Sequence, residues 1–290
     1  MNPALSSPKP RNANLRKSGA SLLSHLMLIA VALLFIVPFL WMIITALKPI
    51  QQVFTDPLVW VPNPLQWGNF VEALTSPAFP FLTLLRNTIL YAAAGTIATT
   101  ASSCVVAYAF ARMEFRGRNV LFGITLATLL LPSIVTLIPT YVLFRNLNWV
   151  GSYAPLLVPL CFGGAFNIFL LRQFMLTIPM DLTDAAKVDG ASDFTTLWRI
   201  IVPLIKPALL VVAVFHFLYA WNDFQGPLIY LRDNAQYPLT LGLNVFRTRH
   251  GVEWNLMMAA SLATTFPIIV LFFVAQRYFI EGVTLTGVKG

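Results

Sequence analysis

The chain has 290 residues, of which 58% are hydrophobic and only 10% are charged, and its formal net charge is +8. Soluble domains carry about 25% charged residues, so this composition excludes an ordinary soluble protein and indicates an integral membrane protein. Nucleic-acid binding is not expected, because the basic residues are divided among separate loops and membrane topology explains them better.

Six hydrophobic segments are long enough to cross a bilayer as helices, which takes about 20 residues. They cover approximately residues 22–47, 83–111, 119–143, 153–175, 204–222 and 256–280. The sequence therefore predicts an all-α membrane domain over 22–290, preceded by a polar tail over 1–21. No small-residue cleavage site follows the first segment, so we expect it to remain as an anchor.

The distribution of Lys and Arg predicts the orientation. If the N-terminus is cytoplasmic, thirteen of the 19 basic residues lie on the cytoplasmic side. The positive-inside rule then places both termini in the cytoplasm of a multi-pass protein of the cell membrane. The stretch between the fourth and fifth segments, residues 176–203, is also cytoplasmic in this orientation. We call it the polar segment.

The polar segment has the signals of two short helices. Asp181 or Thr183 is suited to cap the first helix, and Gly190 is suited to end it. Ser192 is suited to cap the second, whose apolar positions predict one continuous stripe formed by Phe194, Leu197, Trp198 and Ile201. Spacing alone leaves two alternatives open: an elbow lying on lipid or on the bundle itself, and a knob that fits a groove of another protein.

Two stretches of the polar segment carry a family resemblance. "DAAKVDGA" at 184–191 and "IIVP" at 200–203 are eight residues apart. The pattern resembles the cytoplasmic loop signature of ABC-importer permeases, Glu-Ala-Ala, two residues, Asp-Gly-Ala, eight residues, Ile-x-Leu-Pro. This chain departs from it with Asp184 in place of Glu and Val202 in place of Leu.

Further motifs occur in the order found in the second permease subunit of carbohydrate importers of the maltose-transporter type. They are "AYAFAR" (107–112), "LPSIVTLIPTY" (131–141), "WNDF" (221–224) and "GVTLTGVKG" (282–290). The resemblance implies the type I ABC importer permease fold, with six transmembrane helices and cytoplasmic coupling helices. It covers most of the chain.

The resemblance also implies partners in the inner membrane of a prokaryotic cell: a second permease subunit, two ATPase subunits and an extracytoplasmic solute-binding protein. ATP and Mg would bind to the ATPase, and this chain would be neither an enzyme nor a cofactor carrier. The sequence agrees, since it contains no G-x-x-x-x-G-K-[ST] loop. The residues that match the coupling signature are Asp184, Ala185, Ala186, Asp189, Gly190, Ala191, Ile200 and Pro203. By resemblance, the C-terminal tail is expected to reach between the ATPase subunits.

A sugar pathway requires polar groups and aromatic faces inside the bundle. The candidates are Asn167, His216, Tyr219, Trp221, Asn222 and Asp223. A hydrogen-bonded structural role for His216 is an equal alternative, and Asn222 and Asp223 could instead belong to a loop or contact the solute-binding protein. Pro132, Pro139, the pair Gly163-Gly164, and Pro267 interrupt the spans, either as simple packing kinks or as parts of a mobile, cavity-lined bundle.

Three other functions compete with sugar import. Import of glycerol phosphate or another polar solute would favour a cluster of Arg in the spans, and none is evident. A secondary carrier would show repeats and acids in mid-span, whereas the acids here lie mostly in loops. A membrane-embedded enzyme or metal site would need convergent ligands, but the three His are far apart, and Cys104 and Cys161 are expected to be two buried thiols.

Overall fold

A computed structural model describes residues 12–248 and 251–287, without the side chains of 12–20, 22, 248 and 277–287. Within these residues the chain is almost entirely helical. The α-helices are α1 (Asn12–Ala46), α2 (Gly68–Thr75), α3 (Phe81–Arg112), α4 (Arg118–Ala127), α5 (Ser133–Asn146), α6 (Ala154–Leu157), α7 (Ala165–Leu176), α8 (Asp181–Val188), α9 (Asp193–Thr196), α10 (Val202–Leu204), α11 (Lys206–Trp221), α12 (Gln225–Tyr230), α13 (Leu239–Gly242) and α14 (Trp254–Gly287).

Short elements join these helices. The 3-10 helices are Ile50–Gln52, Thr128–Leu130, Val158–Phe162, Asn234–Gln236 and Leu243–Phe246, and Leu197–Ile201 forms a π-helical turn. The two strands are β1 (Arg247–Thr248) and β2 (Gly251–Val252), which pair in an antiparallel ladder.

The helices are consistent with a multi-pass membrane protein. Four stretches are long and apolar enough to cross a bilayer: Leu23–Ala46, Phe81–Arg112, Ala154–Leu176 and Trp254–Gln276. Two bent helix pairs, Arg118–Leu130 with Ser133–Asn146 and Asp193–Leu204 with Lys206–Trp221, raise the number to six if each pair is one span. The described part of the chain thus confirms the predicted all-helical membrane architecture.

The third hydrophobic segment, predicted over 119–143, is not one straight helix. Its two halves, α4 and α5, meet at an angle of 102°. Pro132 lies at the break because it has no N–H to donate and its ring disfavours the helical conformation of the residue before it. Pro139, which was also expected to break the segment, lies inside α5. A proline within a membrane helix is tolerated when neighbouring groups satisfy the backbone.

The fourth hydrophobic segment is interrupted at Gly163-Gly164. Gly163 has a φ of +86°, a conformation that favours glycine, and it separates the 3-10 helix from α7. Helix α3 satisfies the backbone groups that this break releases. Ser103 Oγ accepts a hydrogen bond from the Gly164 N–H at 3.0 Å, and Ser102 Oγ donates to the Leu160 carbonyl at 2.9 Å. The interruption is therefore a fixed corner in this structure.

Two separate cores hold the bundle together, and they lie near opposite ends of α3. The first packs Leu84, Tyr91 and Ala92 of α3 against buried residues of α11, α13 and α14. The second packs Cys104–Ala111 against α7, the polar segment and the first half of α11. A helix of 32 residues is roughly 48 Å long. Helices α3 and α11 therefore connect the two ends of the molecule.

Candidate functional site

A polar cavity of about 620 Å³ lies between α3, α5, the stretch 155–160, the end of α11 and α12. Its polar lining residues are Tyr91, Ser133, His216, Tyr219, Asn222, Asp223, Gln225 and Tyr230. Its apolar lining comes mainly from Leu137, Pro155, Leu156, Pro159, Leu160, Phe224 and Ile229. This volume and this mixture of apolar surface with a few polar groups are typical of small-molecule sites.

Asp223 is the most firmly held side chain of the polar cavity. Tyr91 donates its hydroxyl hydrogen to Asp223 Oδ2 at 2.8 Å, and the Gly226 N–H donates to Oδ1 at 3.0 Å. The Thr240 hydroxyl donates to the Asp223 carbonyl at 2.7 Å, which fixes the backbone as well. The carboxylate is thereby oriented before any ligand arrives.

His216 and Tyr219 lie on the same face of α11, about two turns and one turn before Asp223, respectively. The His216 Nε2 atom is buried and has no hydrogen-bond partner within the described part of the chain. Its ring lies 6.0 Å from that of Tyr219, whose side chain is 68% exposed. Nε2 packs against α3, since a Cβ atom built on Gly95 would lie 3.0 Å from it. The structure therefore leaves the aromatic face of Tyr219 accessible at the cavity, whereas the Nε2 atom of His216 is enclosed between helices.

Two of the candidate pathway residues point elsewhere. Trp221 is only 2% exposed and donates its indole N–H to the Thr264 carbonyl at 3.3 Å, so it belongs to the core. Asn167 donates to Thr99 Oγ1 at 3.4 Å and does not line the polar cavity. Tyr91 does line it, although no sequence pattern links this tyrosine to a carboxylate partner 132 residues away. Chain topology alone brings them together.

The polar segment forms two short helices, as its sequence predicts, but only one of the proposed caps is present. Ser192 Oγ accepts a hydrogen bond from the Thr195 N–H at 3.2 Å and caps α9. Helix α8 begins after Met180, without a side-chain cap, so the expected capping by Asp181 or Thr183 is wrong. Gly190 follows α8 with a φ of +78°, which is the left-handed conformation expected of a residue that ends a helix.

The predicted single apolar stripe is divided into two faces. Leu197 and Ile201 are buried in the second core, whereas Phe194 is 71% exposed and Trp198 is 40% exposed. The Phe194 and Trp198 rings contact each other edge to face at 6.0 Å. The π-helical turn contributes to this division, since it changes the angular spacing that an α-helical pattern assumes. One apolar pair anchors the segment and the other remains on the surface.

The motif "AYAFAR" connects the polar segment to α3. Arg112 is 3% exposed, and its guanidinium donates to the carbonyls of Met175, Ile178 and Pro179, the second of these at 2.7 Å. Tyr108 donates its hydroxyl hydrogen to Asp193 Oδ1 at 3.4 Å. Because these contacts reach both the start and the middle of the polar segment, α3 and the segment form one packed unit.

The residues of the coupling signature differ in exposure. Asp184, Ala185, Asp189, Gly190 and Pro203 are exposed, Ala191 and Ile200 are partly buried, and Ala186 is buried at 6% exposure. Ala186 therefore packs inward, and the free surface is formed by its neighbours. The last three residues of the C-terminal motif, 288–290, lie outside the described residues. The rest of the motif, 282–287, belongs to the part of α14 that is described by its backbone alone.

The family model "Binding-protein-dependent transport system inner membrane component" matches residues 103–284. The chain belongs to this family. It is therefore a permease of a binding-protein-dependent ABC importer, a multi-pass inner-membrane transport protein rather than an enzyme. The matched range includes the polar segment and most of the polar cavity.

Similar curated proteins cover nearly the whole permease. It is 30% identical to the arabinooligosaccharides transport system permease protein AraQ of Halalkalibacterium halodurans, over 95% of this chain and 100% of that protein. It is 31% identical to the trehalose/maltose transport system permease protein MalG of Thermococcus litoralis, over 90% and 94%. It is 32% identical to the sn-glycerol-3-phosphate transport system permease protein UgpE of Yersinia pestis, over 92% and 96%.

A solved structure has the same fold. The permease matches a chain in the crystal structure of a bacterial ABC transporter involved in the import of the acidic polysaccharide alginate, with a TM-score of 0.79. The match covers 94% of this chain and 100% of that chain at 23% sequence identity. The resemblance to ABC-importer permeases that the sequence motifs indicated is thus confirmed.

Metal chemistry has no support in the described part of the permease. No group of three or more His, Cys, Asp or Glu is placed there to hold a metal ion. Neither cysteine is in a disulfide. Cys104 is buried, whereas Cys161 is exposed, so the expectation that both thiols are buried is wrong for Cys161.

Proposed function

We propose that this permease forms half of the translocation pathway for a neutral sugar or oligosaccharide, as the second permease subunit of its importer. The polar cavity supports this proposal. It offers the exposed ring of Tyr219 as a stacking face, together with the oriented carboxylate of Asp223. Sugars present apolar ring faces and many hydroxyl groups, which these two side chains can contact.

The charge of the polar cavity favours a neutral substrate over an anionic one. Among the described residues, Asp223 is the only acidic residue that lines it, and no Lys or Arg does. Tyr230 contributes a neutral hydroxyl, because burial raises the pKa of its phenol. A phosphate or carboxylate substrate near a buried carboxylate would be repelled, and sites for such groups normally supply Arg or Lys.

The relatives alone do not decide the substrate. AraQ and MalG are named for neutral carbohydrates, UgpE is named for a phosphorylated polyol, and the three identities are almost equal. Import of glycerol phosphate is therefore the alternative that an experiment must exclude.

Transport by the reconstituted importer tests the substrate proposal. We expect uptake of a neutral oligosaccharide, or stimulation of ATP hydrolysis by it with the binding protein present, and no response to sn-glycerol-3-phosphate. Asp223→Asn should reduce this transport while the permease still assembles with its ATPase. The proposal would be contradicted if sn-glycerol-3-phosphate were taken up at least as fast as the best-transported neutral sugar.

We further propose that the polar segment, approximately residues 176–203, is cytoplasmic and couples the permease to separate ATPase subunits. Val188 is 88% exposed, Phe194 is 71% exposed and Trp198 is 40% exposed, so the segment presents an apolar surface that suits a groove of a partner protein. Arg112 and Tyr108 attach it to α3. Movement of the segment would therefore move α3 and the polar cavity as a rigid body.

A matched pair of phenylalanine variants tests the coupling surface. Phe194 and Phe54 are each 71% exposed and each contacts a tryptophan edge to face, Trp198 and Trp254 respectively. Phe194→Ser should reduce the amount of ATPase that co-purifies with the permease in mild detergent. Phe54→Ser, in the loop after α1, should leave that amount unchanged. Equal recovery of ATPase with both variants would disprove the role of this surface.

A further inference from the structure

Three arginines gather where α3 turns into α4, and the contacts of the described residues leave their charges uncompensated. Arg116 and Arg118 lie in or beside the turn, and Arg172 reaches it from α7. Arg172 contacts the Phe122 ring, which lies one turn after Arg118 along α4, so both guanidiniums belong to the same end of this helix. We call these three residues the arginine cluster.

The guanidinium of Arg172 is held in place, but some of its N–H donors have no hydrogen-bond partner within the described residues. Its Nε atom donates to the Phe110 carbonyl at 3.2 Å, and its plane lies 4.2 Å from the centre of the Phe122 ring. These two contacts come from α3 and α4 and hold the side chain in one orientation. Its two terminal nitrogens make no hydrogen bond or ion pair within the described residues, so their N–H donors remain free for another partner.

Arg118 and Arg116 also have N–H donors without a partner within the described residues. Arg118 donates one hydrogen bond, to the Met113 carbonyl at 3.0 Å, and Arg116 is exposed. The nearby acid is Glu114, which lines the same cleft as Arg118 and is exposed. Within the described part of the chain, Glu114 forms no ion pair with any of the three arginines. The cluster therefore keeps an excess of positive charge.

The surroundings of the arginine cluster are apolar. Val120 is 67% exposed, Leu121 is 50% exposed and Phe115 is 40% exposed, all on or beside α4. Arg172 lies four residues before the end of a membrane-crossing stretch, and Arg118 begins the first of the two bent helix pairs. Cations at the ends of membrane helices extend toward the headgroup layer, with apolar side chains facing the acyl chains below them.

We propose that the arginine cluster binds the phosphate of an anionic phospholipid headgroup in the cytoplasmic leaflet. A guanidinium offers paired N–H donors that match two phosphate oxygens. When two neighbouring guanidiniums bind one anion, its negative charge offsets the repulsion between them. The exposed apolar residues of α4 then contact the acyl chains. Basic pockets between membrane helices on the cytoplasmic side are a recognised form of lipid site.

Bound at this position, the lipid would touch α3, α4 and α7 together. Helix α3 carries Arg112 and Tyr108, which hold the polar segment. An anionic headgroup would therefore reinforce the end of the bundle to which the polar segment is attached. Recognition of lipid at this site does not depend on which solute the importer carries.

Native mass spectrometry of the full permease, purified with its partner subunits, tests the proposal. The probes are phosphatidylglycerol and phosphatidylcholine with identical acyl chains. We expect the wild-type complex to retain phosphatidylglycerol in preference to phosphatidylcholine. The double variant Arg118→Gln/Arg172→Gln should lose this preference, with affinity falling about five-fold for each arginine removed.

The matched control is Arg86→Gln/Arg145→Gln, which removes the same charge from two exposed arginines distant in sequence from the cluster. It should retain phosphatidylglycerol as the wild type does, and thermal unfolding in neutral lipid should show that both variants are folded. Equal retention by the two double variants would overturn the proposal. Displacement of the lipid by millimolar inorganic phosphate would also overturn it, because the cluster would then be a site for free phosphate.

Discussion

Asp223 illustrates how single residues set the shape of the polar cavity. Its carboxylate is held by Tyr91 from α3 and by the backbone N–H of Gly226 from the first turn of α12. A Cβ atom built on Gly226 would lie 2.6 Å from Asp223 Oδ2 and 2.9 Å from Leu156 Cδ2. Glycine is therefore required here for the space around the carboxylate.

Gly226→Ala should displace Asp223 and reduce transport strongly, while costing about 1–3 kcal/mol of stability through overpacking. Gly123→Ala is the control, because a Cβ atom at Gly123 meets nothing within 4 Å and alanine favours the helix. Uptake by the reconstituted importer and the thermal midpoint of each variant measure the two effects. Normal transport by the Gly226 variant would show that the position of this carboxylate is unimportant.

Arg112 is the second single residue with a structural role, because its buried guanidinium links α3 to the start of the polar segment. Removing its guanidinium would take this donor from the part-buried carbonyls of Ile178 and Pro179, each loss costing roughly 1–3 kcal/mol. Arg112→Leu should therefore lower the thermal stability of the permease markedly and reduce recovery of the ATPase with it. Arg86→Leu, at the exposed opposite end of α3, should do neither. Unchanged stability of the Arg112 variant would contradict a structural link through this side chain.

Residue-level features were only partly predictable from the sequence. His216, Tyr219, Asn222 and Asp223 lie close together on one helix end, so their proximity is visible in the sequence. The contact of Tyr91 with Asp223 depends on how α3 packs against α11, and no local pattern encodes it. Trp221 is an aromatic residue like Tyr219, but it faces the core, because two positions along a helix turn a side chain by about 200°.

At the scale of elements, interruptions in the helices set the architecture more than the helices themselves do. The bend of 102° at Pro132 and the corner at Gly163 place α5 and the stretch 155–160 beside the polar cavity. Hydropathy predicted each segment correctly as apolar and helical. It could not predict the bend angles, because these depend on groups such as Ser102 and Ser103 in a neighbouring helix.

The turn between α8 and α9 offers a test of the polar segment. Gly190 has a φ of +78° and nothing within 4 Å of a built Cβ atom, so Gly190→Val would strain the backbone without a clash. We expect the variant to reach the membrane, but ATP hydrolysis should no longer drive transport through it. Gly151→Val is the control, since Gly151 has a φ of +96° and equal space in another loop. Both variants should cost about 1–3 kcal/mol. Normal coupled transport by Gly190→Val would argue against coupling through this turn.

At the scale of the whole molecule, the two cores share two helices. Ala208 and Val212 of α11 belong to the core beside the polar segment, and Ala220 and Trp221 belong to the other core. His216 lies between these two pairs and lines the polar cavity. A displacement of the polar segment would therefore reach the cavity through α3 and α11, without any need for a flexible connection.

This arrangement depends on orientation, which the positive-inside rule predicts and labelling can test. In a chain whose two cysteines are replaced by alanine, Lys187→Cys reports on the polar segment and Glu72→Cys reports on α2. Both positions are exposed. In intact cells whose outer envelope has been made permeable, a membrane-impermeant maleimide should label Glu72→Cys and leave Lys187→Cys unlabelled, while inverted membrane vesicles should give the opposite result.

The two labelling results together determine more than topology. If the polar segment is cytoplasmic, its exposed apolar surface faces the compartment that holds ATP, and the arginine cluster faces the leaflet that is richer in anionic lipid. Labelling of Lys187→Cys from outside would invert the molecule. Coupling through the polar segment would then be impossible, since ATP could not reach an ATPase bound on that side. Reagent that has leaked into the cells would instead label both positions. A detergent-solubilised sample of each variant gives the extent of full labelling, against which the labelling in cells and vesicles is compared.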